Sequence, residues 1–239
     1  MNNEKLIVAL DYAYENEARE LVSQLDDAVS YYKVGLELFL NTRGSIIDYL
    51  KHKGKKVFLD LKFHDIPNTV AQAAAWAASF GVDMFTLHAS GGAEMMRTSV
   101  ENVTDICERL NVKVPQMVGV TILTSFDESG IARVGYKDNI ADTVLNLARL
   151  CQESHMSGVV CSPHEVESIK MYCGQDFLTV CPGIRPVWAA KGDQKRITTP
   201  SDAIRIGVDY MVVGRPITKA KNPQEAALKI VEEIGGVVE

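Results

Sequence analysis

The sequence predicts a parallel eight-stranded (β/α)8 barrel, the TIM-barrel fold, and three observations lead there. Short β-rich runs alternate with longer helical patterns along all 239 residues, the pattern of a parallel sheet whose crossovers are helices. Runs such as Met211-Val212-Val213 are apolar without alternation, as strands buried on both faces are. The phrase Gly-Val-Asp occurs at Gly81-Val82-Asp83 and again at Gly207-Val208-Asp209, each time where a helix gives way to a strand. Glycine there can take the left-handed terminating conformation, and the recurrence suggests a repeated βα unit.

Taken in order, the first strand is expected at Leu6–Leu10, after a short polar start, and Ala18, Leu21, Val22 and Leu25 then follow at helical spacing. The second strand, Tyr31–Leu36, is interrupted by Lys33, and the third, Lys56–Leu61, carries Asp60 near its end. The fourth is Met84–His88. Met96, Val100, Val103, Cys107 and Leu110 give the next helical stripe, ahead of a fifth strand at Pro115–Ile122. Ile140, Val144, Leu147 and Cys151 repeat the helical spacing before strands at Gly158–Cys161, Phe177–Cys181 and Tyr210–Val213. No Pro/Gly-rich or polar linker divides the chain, so residues 1–239 are expected to form a single catalytic barrel domain.

Composition narrows the function. The chain is 46% hydrophobic and 23% charged with a net charge of −6, and its Lys and Arg are scattered, which argues against nucleic acid or an anionic membrane as partner. The cysteines, Cys107, Cys151, Cys161, Cys173 and Cys181, are odd in number and lack metal-finger spacing, so neither a zinc site nor a disulfide framework is expected. Neither a signal peptide nor an apolar run of membrane-spanning length is present, and a reduced, cytoplasmic setting follows.

Barrels of this kind build active sites at the C-terminal ends of their strands. Those ends carry Asp11, Lys33, Asp60 with Lys62, His88, then Thr121 and Thr124. On a regular strand Asp60 and Lys62 share a face, and a buried acid–base pair is costly enough to need a reason. Lys33 interrupts an apolar run and is placed to reach a carboxylate on the third strand, giving an alternating Asp/Lys network. Asp65 precedes Ile66-Pro67-Asn68 and an Ala-rich helix, so it reads equally as a group capping or charging that helix's N-terminus. Gly214-Arg215 after the eighth strand suits phosphate, since Gly allows close backbone approach and Arg offers a bidentate fork. From Pro182 to Pro200 no helix is convincing. That stretch, with Arg185, Lys191, Gln194, Lys195 and Arg196, reads as a lid over an anionic substrate. His64 and His88 belong to no ligand cluster and read as supporting residues.

Together these pieces resemble one family, the bacterial-type orotidine 5′-monophosphate decarboxylases, over nearly the whole chain. The most specific motif is Asp60, Lys62, Asp65, Ile66, Pro67, Asn68 and Thr69. Supporting it in order are Ala9-Leu10-Asp11, Lys33-Val34-Gly35, Val120-Thr121-Ile122-Leu123-Thr124, Pro182-Gly183-Ile184-Arg185-Pro186, Gly192-Asp193-Gln194 and Val213-Gly214-Arg215-Pro216-Ile217-Thr218. The resemblance implies conversion of orotidylate to uridylate, the last step of pyrimidine nucleotide synthesis, with no metal or other cofactor. It implies a homodimer with active sites at the subunit interface: Asp60, Lys62, Lys33 and Asp11 from one chain, Asp65, Ile66 and Thr69 from the other. Lys62 would protonate C6. Thr124, Gln194 and Pro182 would hold the pyrimidine, and Arg185, Arg215 and the Gly214 backbone the phosphate. Related barrels with the same Asp-x-Lys-x-x-Asp scaffold, Mg2+-dependent sugar-phosphate decarboxylases and synthases, carry Glu on the second strand, where this chain has Lys33. A catalytically silent phosphate-binding barrel is the alternative from another class.

Overall fold

The computed structural model describes residues 3–189 and 198–237. Its strands are β1 (Leu6–Leu10), β2 (Tyr31–Gly35), β3 (Lys56–Phe63), β4 (Met84–His88), β5 (Gln116–Val120), β6 (Gly158–Val160), β7 (Leu178–Pro182) and β8 (Tyr210–Val213). They close a barrel in chain order, with β8 pairing back on β1. Pairing is parallel, Val34 lying beside Leu59 and Val118 beside Gly158. The predicted (β/α)8 fold is the observed one, and all eight predicted strands are present, β1, β4 and β8 with the predicted bounds and the others with ends shifted by one or two residues. β5 is shorter than Pro115–Ile122, since Pro115 has no N–H to give a ladder. β3 runs further than predicted, to Phe63.

Within the barrel the chain forms two compact units, one made of the residues up to Asp60 and from Cys181 onward, the other of Leu61–Val180. In the first, β1 is buried at every position, as its unbroken apolar run requires. The helix Glu15–Leu25 buries Ala18, Leu21, Val22 and Leu25, the stripe its spacing predicts. Two short helices, Leu36–Thr42 and Ser45–His52, lead into β3. Between them Arg43 and Gly44 both have positive φ, 52° and 86°, which breaks one helix into two. The helix Pro223–Gly235 starts with Asn222 accepting from the Glu225 N–H at 3.2 Å, a side-chain cap.

In the second unit the helix Pro67–Ser79 has Pro at its first position, and its buried stripe is Val70 with Ala71, Ala74, Ala77 and Ala78. These small side chains let the helix Gly92–Leu110 pack close, where Asn102 Nδ2 donates to the Ala71 carbonyl at 2.9 Å. β6 and β7 meet so tightly that a Cβ on Gly158 would lie 2.2 Å from the Leu178 carbonyl oxygen. Gly81 and Gly207 have φ of 75° and 91°, the left-handed conformation their repeated phrase predicts.

All five cysteines are free and buried. Burial pushes the Cys151 thiol up to about 12 and raises Cys107 and Cys173 as well. Among the described residues, no helix is long and apolar enough to cross a membrane.

Candidate active site

In the first unit three predicted residues come together, Asp11 just after β1, Lys33 within β2 and Asp60 within β3. Lys33 Nζ stands 3.0 Å from Asp11 Oδ1 and 3.7 Å from Asp60 Oδ2. The Lys33 and Asp60 side chains are only 12% and 13% exposed, whereas Asp11 is 66% exposed. A shielded ammonium is costly unless paired, and Lys33 meets that need by bridging two acids. Glycine at 35 leaves it room, since a Cβ there would lie 3.2 Å from Lys33 Nζ.

The same unit carries the predicted anion groups. Arg185, just after β7, and Arg215, just after β8, line a cavity of about 300 Å³ together with Trp188, Pro216 and Lys219. The Arg185 N–H donates to the Thr198 carbonyl at 3.0 Å, which fixes the backbone carrying that guanidinium. Gly214 precedes a short helix, Arg215–Thr218, and its carbonyl accepts from Ile217 and Thr218 at 2.9 and 3.0 Å. Pro182 is the last residue of β7 and is partly exposed. Sequence reasoning missed Lys219 and Trp188. Lys219 was findable, lying four residues after Arg215, the separation that puts two side chains on one helical face.

In the second unit, Lys62 has φ of +54°. The alternation that would put it on the face of Asp60 therefore does not carry through this residue, because strand geometry needs negative φ. The Lys62 N–H donates instead to the Thr86 hydroxyl on β4 at 2.9 Å. The next two residues also meet β4: the Phe63 and Phe85 rings are 6.1 Å apart, and His64 and His88 lie 5.1 Å apart at 33°. Both histidines thus have a packing role in the structure, as the sequence suggested.

Asp65 is exposed, and its Oδ1 accepts from the adjacent Ile66 N–H at 2.6 Å. The helix that follows takes Ile66 as its N-cap with no side-chain bond, so Asp65 does not cap it. Ile66 is 67% exposed, and Thr69 on the first turn is exposed too.

Thr124 lies exposed in a turn after β5 that is closed by the Phe126 N–H donating to Leu123 at 2.9 Å. Asp127 follows, accepting from the Gly130 N–H at 2.7 Å and from Ser129 at 2.9 Å, bonds that hold its carboxyl below the usual range. Thr121 is buried and donates to the Val160 carbonyl at 2.9 Å, a structural use of its hydroxyl. Gln194 lies outside the described residues, as do Lys191, Lys195 and Arg196 of the predicted lid. Among the described residues, no group of three or more His, Cys, Asp or Glu is gathered to hold a metal ion.

This arrangement can be set beside known proteins. Residues 4–230 match the family described as "Orotidine 5'-phosphate decarboxylase / HUMPS family". The chain is 45% identical over 239 residues to the orotidine 5'-phosphate decarboxylase of Nostoc sp., covering all of both chains. It is 47% identical over 233 residues to that of Syntrophomonas wolfei, covering 97% of this chain and 98% of the relative. The crystal structure of orotidine 5'-phosphate decarboxylase from Lactobacillus acidophilus superposes with a TM-score of 0.85 at 37% identity, covering 96% of this chain and 98% of that one. With a match across nearly its full length and relatives of this identity, the chain belongs to the orotidine 5'-phosphate decarboxylase / HUMPS family.

Proposed function

We propose that this protein is a carboxy-lyase that converts orotidine 5′-monophosphate to uridine 5′-monophosphate, using residues 1–239 as one catalytic barrel domain without metal or organic cofactor. The reading takes its substrate from the names of its relatives, and one observation favours it over the Mg2+-dependent branch. Lys33 bridges Asp11 and Asp60, so an ammonium stands on β2 where a metal-supporting carboxylate would be needed.

Without a cofactor, the protein itself must stabilise the carbanion left at C6 as the C6–CO2 bond breaks and CO2 departs. In this proposal the Lys62 ammonium stabilises the electron pair at C6 and then delivers its proton there. The neutral amine recovers a proton from water. Asp60 sits near the substrate carboxylate and raises the ground state, since like charges ~4 Å apart at an effective dielectric of ~20 repel by about 4 kcal/mol. Lys33, shared between Asp11 and Asp60, keeps the Asp60 carboxylate aimed.

Arg185 and Arg215, with Lys219, hold the phosphate in the cavity they line, and the Gly214 backbone approaches it. Thr124, Pro182 and Gln194 hold the pyrimidine. Phosphate binding remote from C6 supplies energy for orientation at the reacting centre. The working unit is a homodimer in which Asp65, Ile66 and Thr69 complete the partner's site. Their exposure in the single chain agrees with that arrangement. The setting proposed is the cytoplasm.

The test follows orotidylate absorbance with purified protein in EDTA, beside K62A and D65A. Metal-independent turnover by the wild type and inactivity of K62A are expected. Mixing K62A with D65A should restore about a quarter of wild-type activity, because half the dimers are mixed and each of these has one intact site in two. Turnover that waits for Mg2+ and a sugar phosphate would move the chain to the other branch, and no recovery on mixing would remove the shared site.

A further inference from the structure

Lys62 is the one residue of β3 with a left-handed backbone, φ +54°, and it is not a glycine. For an L-residue that conformation is sterically unfavourable, so something must hold it. In that conformation its N–H donates to the Thr86 hydroxyl, 2.9 Å away on β4. Thr86 is fully buried, at 0% exposure. A buried hydroxyl is unfavourable unless bonded.

The neighbouring contacts fix the same stretch. Phe63 rests against Phe85, and His64 lies against His88, so the last two residues of β3 and the one that follows each meet β4. Only the first of these contacts is a hydrogen bond to the backbone that carries the lysine.

We infer that Thr86 is a positioning residue: its hydroxyl holds the Lys62 main chain in the left-handed basin and so aims the Cα–Cβ bond that carries the ammonium. The inference rests on Lys62 being the proton donor at C6. Without that acceptor the Lys62 N–H loses its bond, and the backbone relaxes toward the ordinary strand basin. The ammonium moves with it, and displacements near 1 Å cost about 100-fold in rate.

The experiment compares the wild type with Thr86→Val and Thr86→Ser. T86V matches the shape but loses the acceptor, whereas T86S keeps it. Expected for T86V is a fall in kcat of about 10- to 100-fold with KM within about threefold, and for T86S a kcat within a few fold of wild type. A T86V enzyme with wild-type kcat, a KM that moves as far as kcat, or T86S as impaired as T86V would each overturn the inference. If T86V does not fold, T86A against T86S isolates the hydroxyl in the same way. Amide hydrogen exchange at Lys62, read by NMR without substrate, separates this inference from the proposed function. Faster exchange in T86V than in wild type and T86S supports the Thr86 bond even if orotidylate is not turned over, and unchanged exchange refutes it.

Discussion

At the scale of single residues, the position of Lys33 depends on what its neighbour lacks. A Cβ at position 35 would stand 3.2 Å from Lys33 Nζ and 3.7 Å from Asp11 Oδ1. The nearer atom is the far end of a flexible side chain, so Gly35→Ala leaves the fold almost untouched and displaces the amine. The variant should melt within a few degrees of wild type while kcat/KM falls on the order of tenfold, and parallel melts and rates check both halves. Lys33 itself is legible in the sequence, as a lone lysine in an apolar run. The bond from Lys62 to Thr86 is not, because threonine is an ordinary strand former and nothing in a lysine's neighbours announces a left-handed φ. Asp65 shows the reverse case. The sequence leaves it open as a helix-capping group, and only geometry shows Ile66 in the cap position instead.

At the scale of elements, helix starts and strand ends carry the titratable groups that tune stability. Glu165 ends the short turn Pro163–Glu165 and precedes the helix Val166–Cys173. Burial pushes its carboxyl up, against the lowering effect of bonds from Ser162. The folded protein therefore holds this proton more tightly than the unfolded chain does. Its contribution to stability is complete below the unfolded value and is lost as pH rises through the folded one. Glu165→Gln removes the buried charge, so it should raise the melting temperature near pH 7, with the gain shrinking as pH falls toward about 4. Thermal melts across that range test it, and a gain that grows with acidity would contradict it. The strands themselves were legible because buried parallel strands read as continuous apolar runs. Their ends were less so. Phe63 lies beyond the predicted end of β3, where the Lys62 N–H donates to a threonine side chain on β4, and no periodicity encodes such a bond.

At the scale of the whole molecule, the alternation of β-rich and helical segments was enough to give the barrel and its strand order, because each crossover must return on the same hand. Which rim residues act together was visible only as types and spacing, and Lys219 and Trp188 became visible once the loops after β7 and β8 lined a common cavity. That cavity also sets how the molecule meets its surroundings. The chain as a whole carries a net charge of −6, yet Arg185, Arg215 and Lys219 gather three positive groups at one opening. Under the proposed function, a nucleotide anion would be repelled by the bulk of the surface and drawn to this patch, so encounter would depend on a local field that dissolved ions screen over about 8 Å at physiological ionic strength. The Lys33–Asp60 pair is shielded from solvent and escapes that screening. Raising potassium chloride from low to high concentration should therefore raise KM several-fold and leave kcat nearly constant. Steady-state kinetics across the series will read this directly, and a kcat that falls with KM would place the ion-sensitive charges at the reacting centre. Added electrolyte thus becomes a way to separate the capture of substrate from the chemistry done on it.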